Sequence, residues 1–411
     1  MVIKLVLDGN IKSNLFLRAL WSNFREVCGN CSWIYMPYKE NDNNRIFLGL
    51  MNANLEETMS VYVWYKVKGV IDKLEFLTSS GDELKEKTQK IIENVVNRTK
   101  EIYLTPFEKK LRCCIKSKTA ISLYKADLYE IYPMVNNISS IVLDIKCFGE
   151  KDEQYIFQIK LKRFLDVLSA LTNLPFYTCE LYEHNIMKLN EEYYGDDDYI
   201  EGYPVENGMI KLPSYGKKIL NEIMIYDKDI ENENVFKLLN TARLFHAGRK
   251  FEEQLSCDVM TIEEERDDEL YISLQKNEFV NAFKVCDNLF EMAIISYISA
   301  LEVLSTIVYS EEAQRCSQCG QLIYSISHKV KDLLIKYLGE LGKEVHKFYT
   351  RRSKFLHEGR LLSHTYIGTS IPQLDVNSKC GAEAVYEVPL LNLRECVGYC
   401  IRCVIKEYFV D

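Results

Sequence analysis

An arginine and a histidine that could cleave RNA together lie in the stretch from Lys347 to Gly359. Arg352 and His357 are separated by four residues. Arginine binds phosphate through a planar fork of donors and stays charged at any cellular pH. Histidine is the side chain whose unperturbed pKa lets it give and accept protons near neutrality. The pair therefore predicts metal-free cleavage of a phosphodiester, with Arg352 on the phosphate and His357 acting on the 2′-OH or the leaving oxygen.

A basic island surrounds this pair. Between residues 343 and 360 only Glu344 and Glu358 are acidic, and the basic residues are Lys343, Lys347, Arg351, Arg352, Lys354 and Arg360. Such charge runs are usually a solvated helix face. Because the Arg–His pair lies inside this one, we expect RNA contacts from Arg351, Lys354, Lys347 and Arg360.

The spacing of residues around the pair resembles a known signature. It is similar to the Arg-x4–6-His motif of HEPN domains, in particular the Apea-like branch found in bacterial defence proteins, at Tyr349, Arg352, Ser353, His357 and Gly359. Two upstream blocks extend the resemblance to roughly residues 235–411. Residues 297–304 are similar to the acidic helix that precedes the motif in that branch, and residues 316–320 with 326–330 are similar to its cysteine-bearing connector.

This resemblance implies an all-helical endoribonuclease domain that needs no metal for catalysis. It implies a toxin-like effector of anti-phage defence by abortive infection, acting on tRNA or mRNA as a homodimer. Arg352 and His357 would be catalytic, with Tyr349 and Ser353 in support. Glu302 has two interpretations: a carboxylate that orients Arg352 or tunes His357, or a carboxylate on a helix surface.

The choice of the catalytic arginine is open at this point, because Arg351 is also within the family spacing from His357. The Arg–Ser pair favours Arg352. Residues five apart on a helix lie about 140° apart around its axis. Arg352 and His357 therefore cannot share one flat face, and a neighbouring helix or a second copy of the chain must complete the pocket.

Cysteine spacing suggests a structural zinc site. Cys316 and Cys319 have the spacing of zinc ligands, and Cys380 and His364 are candidates to complete the four ligands that such a site needs. Cys28 and Cys31 have the same spacing, but a strand-like segment follows them and no second pair is evident. The alternative for both pairs is reduced thiols in turns.

Length and composition predict an α+β protein of two domains. The chain has 411 residues and a net charge of −9, which disfavours nonspecific coating of nucleic acid. Strand-like segments at 61–67 and 140–147 alternate with helical patterns from about 81 to 100 and from 155 to 171. We expect a mixed α/β sensing or regulatory domain at 1–215, which would respond to a phage-derived trigger, and a helical domain at 230–411.

Two other classes of function remain open. The Arg–His pair could grip a nucleotide or RNA in a non-catalytic helical module. Alternatively, Asp196, Asp197 and Asp198 could hold a divalent cation in a metal-dependent nuclease, although they lack the spacing of an EF-hand loop and favour a solvated acidic loop.

The expected location is the cytoplasm. No run of about 18 apolar residues is evident, and the first residues are typical of a strand, which disfavours a membrane protein or a signal peptide. Most of the 14 cysteines lie in apolar patterns, which favours reduced thiols.

Overall fold

The computed structural model describes residues 1–29, 31–40, 43–52, 58–66, 69–78, 83–134, 137–179, 205–206, 209–225, 232–257, 288–309, 326–358 and 390–410. Two compact units are present: residues 1–111 with 143–161 (unit 1), and residues 112–142 with 162–411 (unit 2). The domain boundary expected between 215 and 230 falls within unit 2. The division into sensing and catalytic domains concerns function and stays a prediction.

The described strands all lie between residues 2 and 210, as the α+β expectation requires. They are β1 (Val2–Lys4), β2 (Cys31–Glu40), β3 (Asn43–Asn52), β4 (Thr58–Lys66), β5 (Val70–Thr78), β6 (Phe107–Lys116), β7 (Tyr124–Lys125), β8 (Tyr129–Pro133), β9 (Ile138–Cys147), β10 (Tyr177–Cys179), β11 (Val205–Glu206) and β12 (Met209–Ile210). The strands predicted at 61–67 and 140–147 are confirmed as β4 and β9.

The described helices are concentrated in the second half. They are α1 (Gly9–Cys28), α2 (Glu86–Ile102), α3 (Glu150–Thr172), α4 (Ser214–Ile225), α5 (Glu233–Cys257), α6 (Asn288–Val308), α7 (Ile326–Leu338), α8 (Leu341–Glu358) and α9 (Leu390–Ile405), which a π-helical turn (Lys406–Val410) follows. The predicted start of α2 near residue 81 was wrong, since the helix begins at Glu86. The start of α3 was also wrong by five residues, because Glu150, Asp152 and Glu153 form a polar first turn before the apolar pattern.

Unit 1 contains an antiparallel five-stranded sheet of order β1-β5-β4-β3-β2. One face of this sheet forms a single apolar core with α1 and α2. Alternate residues of β4, including Val61 and Val63, are buried there, whereas Tyr62 and Trp64 on the other face are partly exposed. This alternation is what a sheet buried on one side requires. A second five-stranded sheet has the order β10-β6-β9-β8-β7.

In unit 2, α6 packs against α5 along its length and also contacts α7, α8 and α9. The approach of α5 to α6 depends on Gly248, because a Cβ atom there would lie 2.6 Å from the ring of Tyr297. Of the segment Glu291–Val308, 61% is buried. This segment is long and apolar enough to span a membrane, so the expectation that no such run occurs was wrong; its burial is that of a core helix.

A half-buried carboxylate with two buried arginine partners joins these helices. Glu252 of α5 accepts hydrogen bonds from Tyr297 (2.6 Å), from Arg249 (2.7 Å) and from Arg394 of α9 (2.9 Å). Arg249 also donates from Nε to the carbonyl of Asn173 at the end of α3 (2.8 Å). A buried charge is stable only when it is paired and hydrogen-bonded, so this cluster fixes α5, α6 and α9 in one arrangement.

His246 of α5, which has no distinctive sequence context, is buried with both ring nitrogens engaged. Its Nε2 accepts the amide N–H of Phe176 at 3.1 Å, so Nδ1 carries the proton and donates to Asp166 Oδ1 at 2.7 Å. Burial lowers the pKa of His246, and the hydrogen bond to Asp166 partly offsets this effect. A second proton would break the bond from Phe176, because Nε2 would become a donor.

We expect His246 to make the fold less stable in mild acid. Its folded pKa lies below the unfolded value of about 6.5, so its contribution is complete above pH 6.5 and is lost as the pH falls. The free energy of unfolding in urea, measured at pH 7.5 and pH 5 for wild type and His246→Gln, tests this. The stability advantage of wild type should shrink at pH 5.

The same comparison controls for Glu395, whose contribution to the free energy of unfolding changes with pH in the opposite direction. Burial raises the pKa of Glu395 to about 7, so its contribution grows as the pH falls below 7. Both proteins contain Glu395, and its effect cancels in their difference. An equal advantage of wild type at the two pH values would show that His246 does not titrate in this range.

Candidate functional site

The site predicted from the sequence lies on α8. The face of α8 that carries its buried residues is directed toward α6. Gly339 has a φ of +59° and follows the last residue of α7, and α8 begins two residues later. Val345 and Phe348 are buried. Arg352, four residues beyond Phe348, continues this face and points its side chain at α6.

Arg352 is held by two residues of α6. Its Nη1 donates to Glu302 Oε1 at 2.8 Å, and its Nη2 donates to Ser299 Oγ at 3.1 Å. Both charged side chains are 19% exposed. Because Ser299 and Glu302 are three residues apart, they lie on one face of α6 and receive the two arms of one guanidinium. Of the two interpretations of Glu302, the structure shows the one in which it orients Arg352.

Tyr349 belongs to the same cluster. Burial raises its pKa above the ordinary value of 10, and the nearby Glu302 carboxylate and a hydrogen bond to it add to this effect. On its other side, the ring of Tyr349 stacks on the imidazole of His346, with centroids 5.5 Å apart and planes inclined by 2°. The phenol is therefore fixed between His346 and Glu302.

His346 is a site neighbour that sequence reasoning missed. Its Nε2 lies 3.2 Å from the carbonyl oxygen of Ser327 and 3.3 Å from the Ser327 hydroxyl, both on α7. Burial lowers the pKa of His346, although the bond to the Ser327 carbonyl raises it in part. The available signal was spacing, since His346, Tyr349 and Arg352 follow one another at three-residue steps along a single helical ridge.

His357 does not join this cluster within one protomer. It is exposed in the last turn of α8, about 7.5 Å along the helix axis from Arg352 at 1.5 Å per residue. Ser353 is half-buried. The guanidinium of Arg351 lies 5.6 Å from the ring centroid of Phe348.

Nearby glutamates partly neutralise the basic island. Lys347 pairs with Glu344 at 2.5 Å, and Lys343 pairs with Glu340 at 2.8 Å. These pairs are exposed, so solvent and salt weaken them and both lysines can exchange their partners for phosphate. Lys354 is exposed.

Several predicted site residues lie outside the described residues. These are Gly359 and Arg360, the acidic residues 196–198, and the expected zinc ligands Cys316, Cys319, Cys380 and His364. Of the second cysteine pair, Cys28 is buried at the end of α1, and β2 begins at Cys31. Among the described residues, no group of three or more His, Cys, Asp and Glu side chains could hold a metal ion.

No protein-family model, curated protein or solved structure matches the chain. The resemblance to HEPN domains therefore rests on the residues named above.

We expect Arg352→Ala to lower the free energy of unfolding by about 1–3 kcal/mol, because it leaves Glu302 and Ser299 without their shared donor. Urea unfolding measures this. Lys354→Ala removes an exposed cation from the same helix and should change stability by less than about 0.5 kcal/mol. Equal effects of the two substitutions would contradict a structural role of the Arg352–Glu302 pair.

Proposed function

We propose that the chain is a HEPN-type endoribonuclease that cleaves RNA without a metal ion. Arg352 binds the scissile phosphate and the charge that develops on it. His357 either accepts the proton of the 2′-OH as a general base or donates a proton to the leaving 5′-oxygen as a general acid. The products are cyclic-phosphate or 3′-phosphate ends. The biological role that goes with this activity is a cytoplasmic toxin-like effector of anti-phage defence, which cleaves tRNA or mRNA after the N-terminal part responds to a phage-derived trigger.

The observation that carries this proposal is the fixed position of Arg352. A guanidinium has five N–H donors, and Glu302 and Ser299 each accept one of them. The N–H on Nε is buried and makes no hydrogen bond, so it is closed to a ligand. Two N–H groups remain, one on Nη1 and one on Nη2, and these can donate to phosphate oxygens. An arginine whose orientation is set before substrate arrives loses little entropy on binding, and preorganised charge of this kind stabilises a phosphoryl transition state.

His357 complements Arg352 through its exposure. The imidazole stands on the surface at the last turn of α8, where a flexible RNA backbone can approach it. In one protomer it lies on a different side of the helix from Arg352. A second α8 related by a two-fold axis would bring the His357 of one copy toward the Arg352 of the other, so the proposal includes a homodimer with a shared basic cleft.

Cleavage of RNA in the presence of EDTA tests the catalytic assignment. His357→Ala should reduce the rate at least about 100-fold, the usual contribution of a general acid or base, and Arg352→Ala should reduce it comparably while the fold is retained. His328→Ala removes another exposed histidine and serves as the matched control, with a rate close to wild type. A His357→Ala or Arg352→Ala protein that cleaves as fast as wild type would contradict the assignment.

Mixing the two inactive variants tests whether the site is shared. If each cleft takes Arg352 from one protomer and His357 from the other, a mixed dimer of Arg352→Ala and His357→Ala has one intact cleft. After subunit exchange, the mixture should recover up to about a quarter of the wild-type activity, because about half of the dimers are mixed and each has one of two sites. An active monomer in sedimentation would rule out the composite site.

One observation favours a second candidate, the non-catalytic RNA- or nucleotide-binding module. Glu302 neutralises Arg352 and leaves it only 19% exposed, an arrangement that also suits a purely structural cation beside a weak phosphate site. RNA binding by a homodimer, without cleavage at any pH, would select this candidate. Activity that is lost with a chelator and that tolerates His357→Ala would instead select a metal-dependent nuclease.

A further inference from the structure

The sheet of unit 1 has a polar and aromatic face opposite its apolar core. Directly paired residues form a row across four strands of this face: Lys4 of β1, Lys73 of β5, Trp64 of β4 and Arg45 of β3. At about 4.8 Å between neighbouring strands, the row is about 14 Å long. Its four members are partly or fully exposed, whereas the residues that follow Lys73 and Arg45 along their strands are buried.

Trp64 is the centre of this row. Lys73 Nζ lies 4.3 Å from its ring centroid, and the guanidinium of Arg45 lies 5.1 Å from it. The indole N–H donates to Glu75 Oε2 at 2.8 Å, which fixes the orientation of the ring. The indole is therefore a rigid aromatic surface with a cation on either side.

A second row lies beside the first. It consists of Val2, Glu75, Tyr62 and Phe47, again in directly paired positions. The rings of Tyr62 and Phe47 are 5.3 Å apart, and Arg45 covers Tyr62 at 4.0 Å. Val2 is 52% exposed. Together the two rows, which we call the aromatic face, present three aromatic rings and three cations against one carboxylate.

The pairing of Lys4 with Lys73 points to an anionic ligand. Like charges at directly opposite positions destabilise a sheet. The single carboxylate of this face, Glu75, is hydrogen-bonded to the indole of Trp64. A phosphate placed between the two lysines would remove their repulsion, and this gain is specific to a ligand with negative charge.

We propose that the aromatic face binds single-stranded RNA. Bases stack on aromatic rings and equally on the planes of arginine guanidinium groups, so Trp64, Phe47 and the Arg45–Tyr62 pair all serve as platforms. Lys4 and Lys73 contact the phosphates between the stacked bases. A duplex cannot use this face in the same way, because its bases are stacked on one another.

The choice of RNA over DNA rests on the proposed ribonuclease function. The proposal that the aromatic face binds a single-stranded nucleic acid does not depend on that function. All residues of the aromatic face belong to unit 1, and none of them belongs to the Arg352 cluster. With this face, the N-terminal part of the chain would bind single-stranded RNA directly, which is a different activity from cleavage.

Fluorescence anisotropy of a labelled 12-nucleotide single-stranded RNA in EDTA tests the proposal. Full-length protein carrying His357→Ala is used, so that the probe stays intact. Adding Tyr62→Ala and Trp64→Ala should weaken binding at least tenfold, since two stacking platforms are lost. Tyr155→Ala, which removes an exposed aromatic residue of α3, is the matched control and should leave the affinity unchanged.

The lysines provide an independent readout if the aromatic variants unfold. Lys4→Gln with Lys73→Gln should reduce the slope of log affinity against log salt by roughly 1.4, for two phosphate contacts on a single strand. An unchanged affinity and salt slope in both double variants would overturn the proposal, as would equal binding of duplex RNA. Tighter binding of single-stranded DNA of the same sequence would overturn the assignment to RNA.

The outcomes also separate this inference from the ribonuclease proposal. If the wild-type protein cleaves RNA and the Tyr62/Trp64 variant binds and cleaves equally well, the aromatic face fails and the ribonuclease stands. If wild type cleaves nothing but binding depends on Trp64, the aromatic face stands and the ribonuclease fails.

Discussion

The arrangement of the helices in unit 2 depends on the hydrogen bonds and ion pairs that stabilise the negative charge of Glu252. A carboxylate that is mostly removed from water needs its hydrogen bonds. Glu252, which is 16% exposed, obtains them from α5 itself, α6 and α9. Tyr297, one of these donors, is two residues before Ser299 and five before Glu302. Because the cluster fixes the rotation of α6, it also fixes the two side chains that hold Arg352. The candidate site is thus positioned by a polar interaction in the core as well as by apolar packing.

The ion pair between Arg352 and Glu302 connects the core of the helical unit to the candidate site. Glu302 lies beside the buried Leu301 in a helix that is mostly enclosed, and it remains only 19% exposed. An acidic side chain at this depth needs a partner, and Arg352 provides a bond of 2.8 Å. His346 and Tyr349 extend the contact toward α7 through ring stacking. One ridge of α8 therefore contacts both neighbouring helices through polar and aromatic groups.

Much of the local structure was predictable, because it depends on short-range patterns. β-Branched and aromatic runs predicted β4 and β9. The start of α2 was wrong because Gly81 and Asp82 have the composition of a helix start, whereas the helix begins at Glu86. Glu252 and His246 were missed for a different reason. Their partners, Arg394 and Asp166, lie 142 and 80 residues away, and a polar residue at an inward-facing position interrupts the apolar period that sequence reasoning follows. The contact of Arg352 with Glu302, across 50 residues, was one of two interpretations that only a resemblance suggested.

The distance in sequence between Glu252 and Arg394 also affects when the site can form during synthesis. Ribosomes add about 5–20 residues per second, so α5 and α6 are made several seconds before α9. Until α9 docks, Glu252 lacks one of its two arginine partners. The polar cluster that fixes the rotation of α6 is therefore incomplete. A nascent chain that already contains Arg352 and His357 would therefore hold them without their final support. The Arg352 cluster therefore reaches its final arrangement only after α9 has been synthesised and has docked.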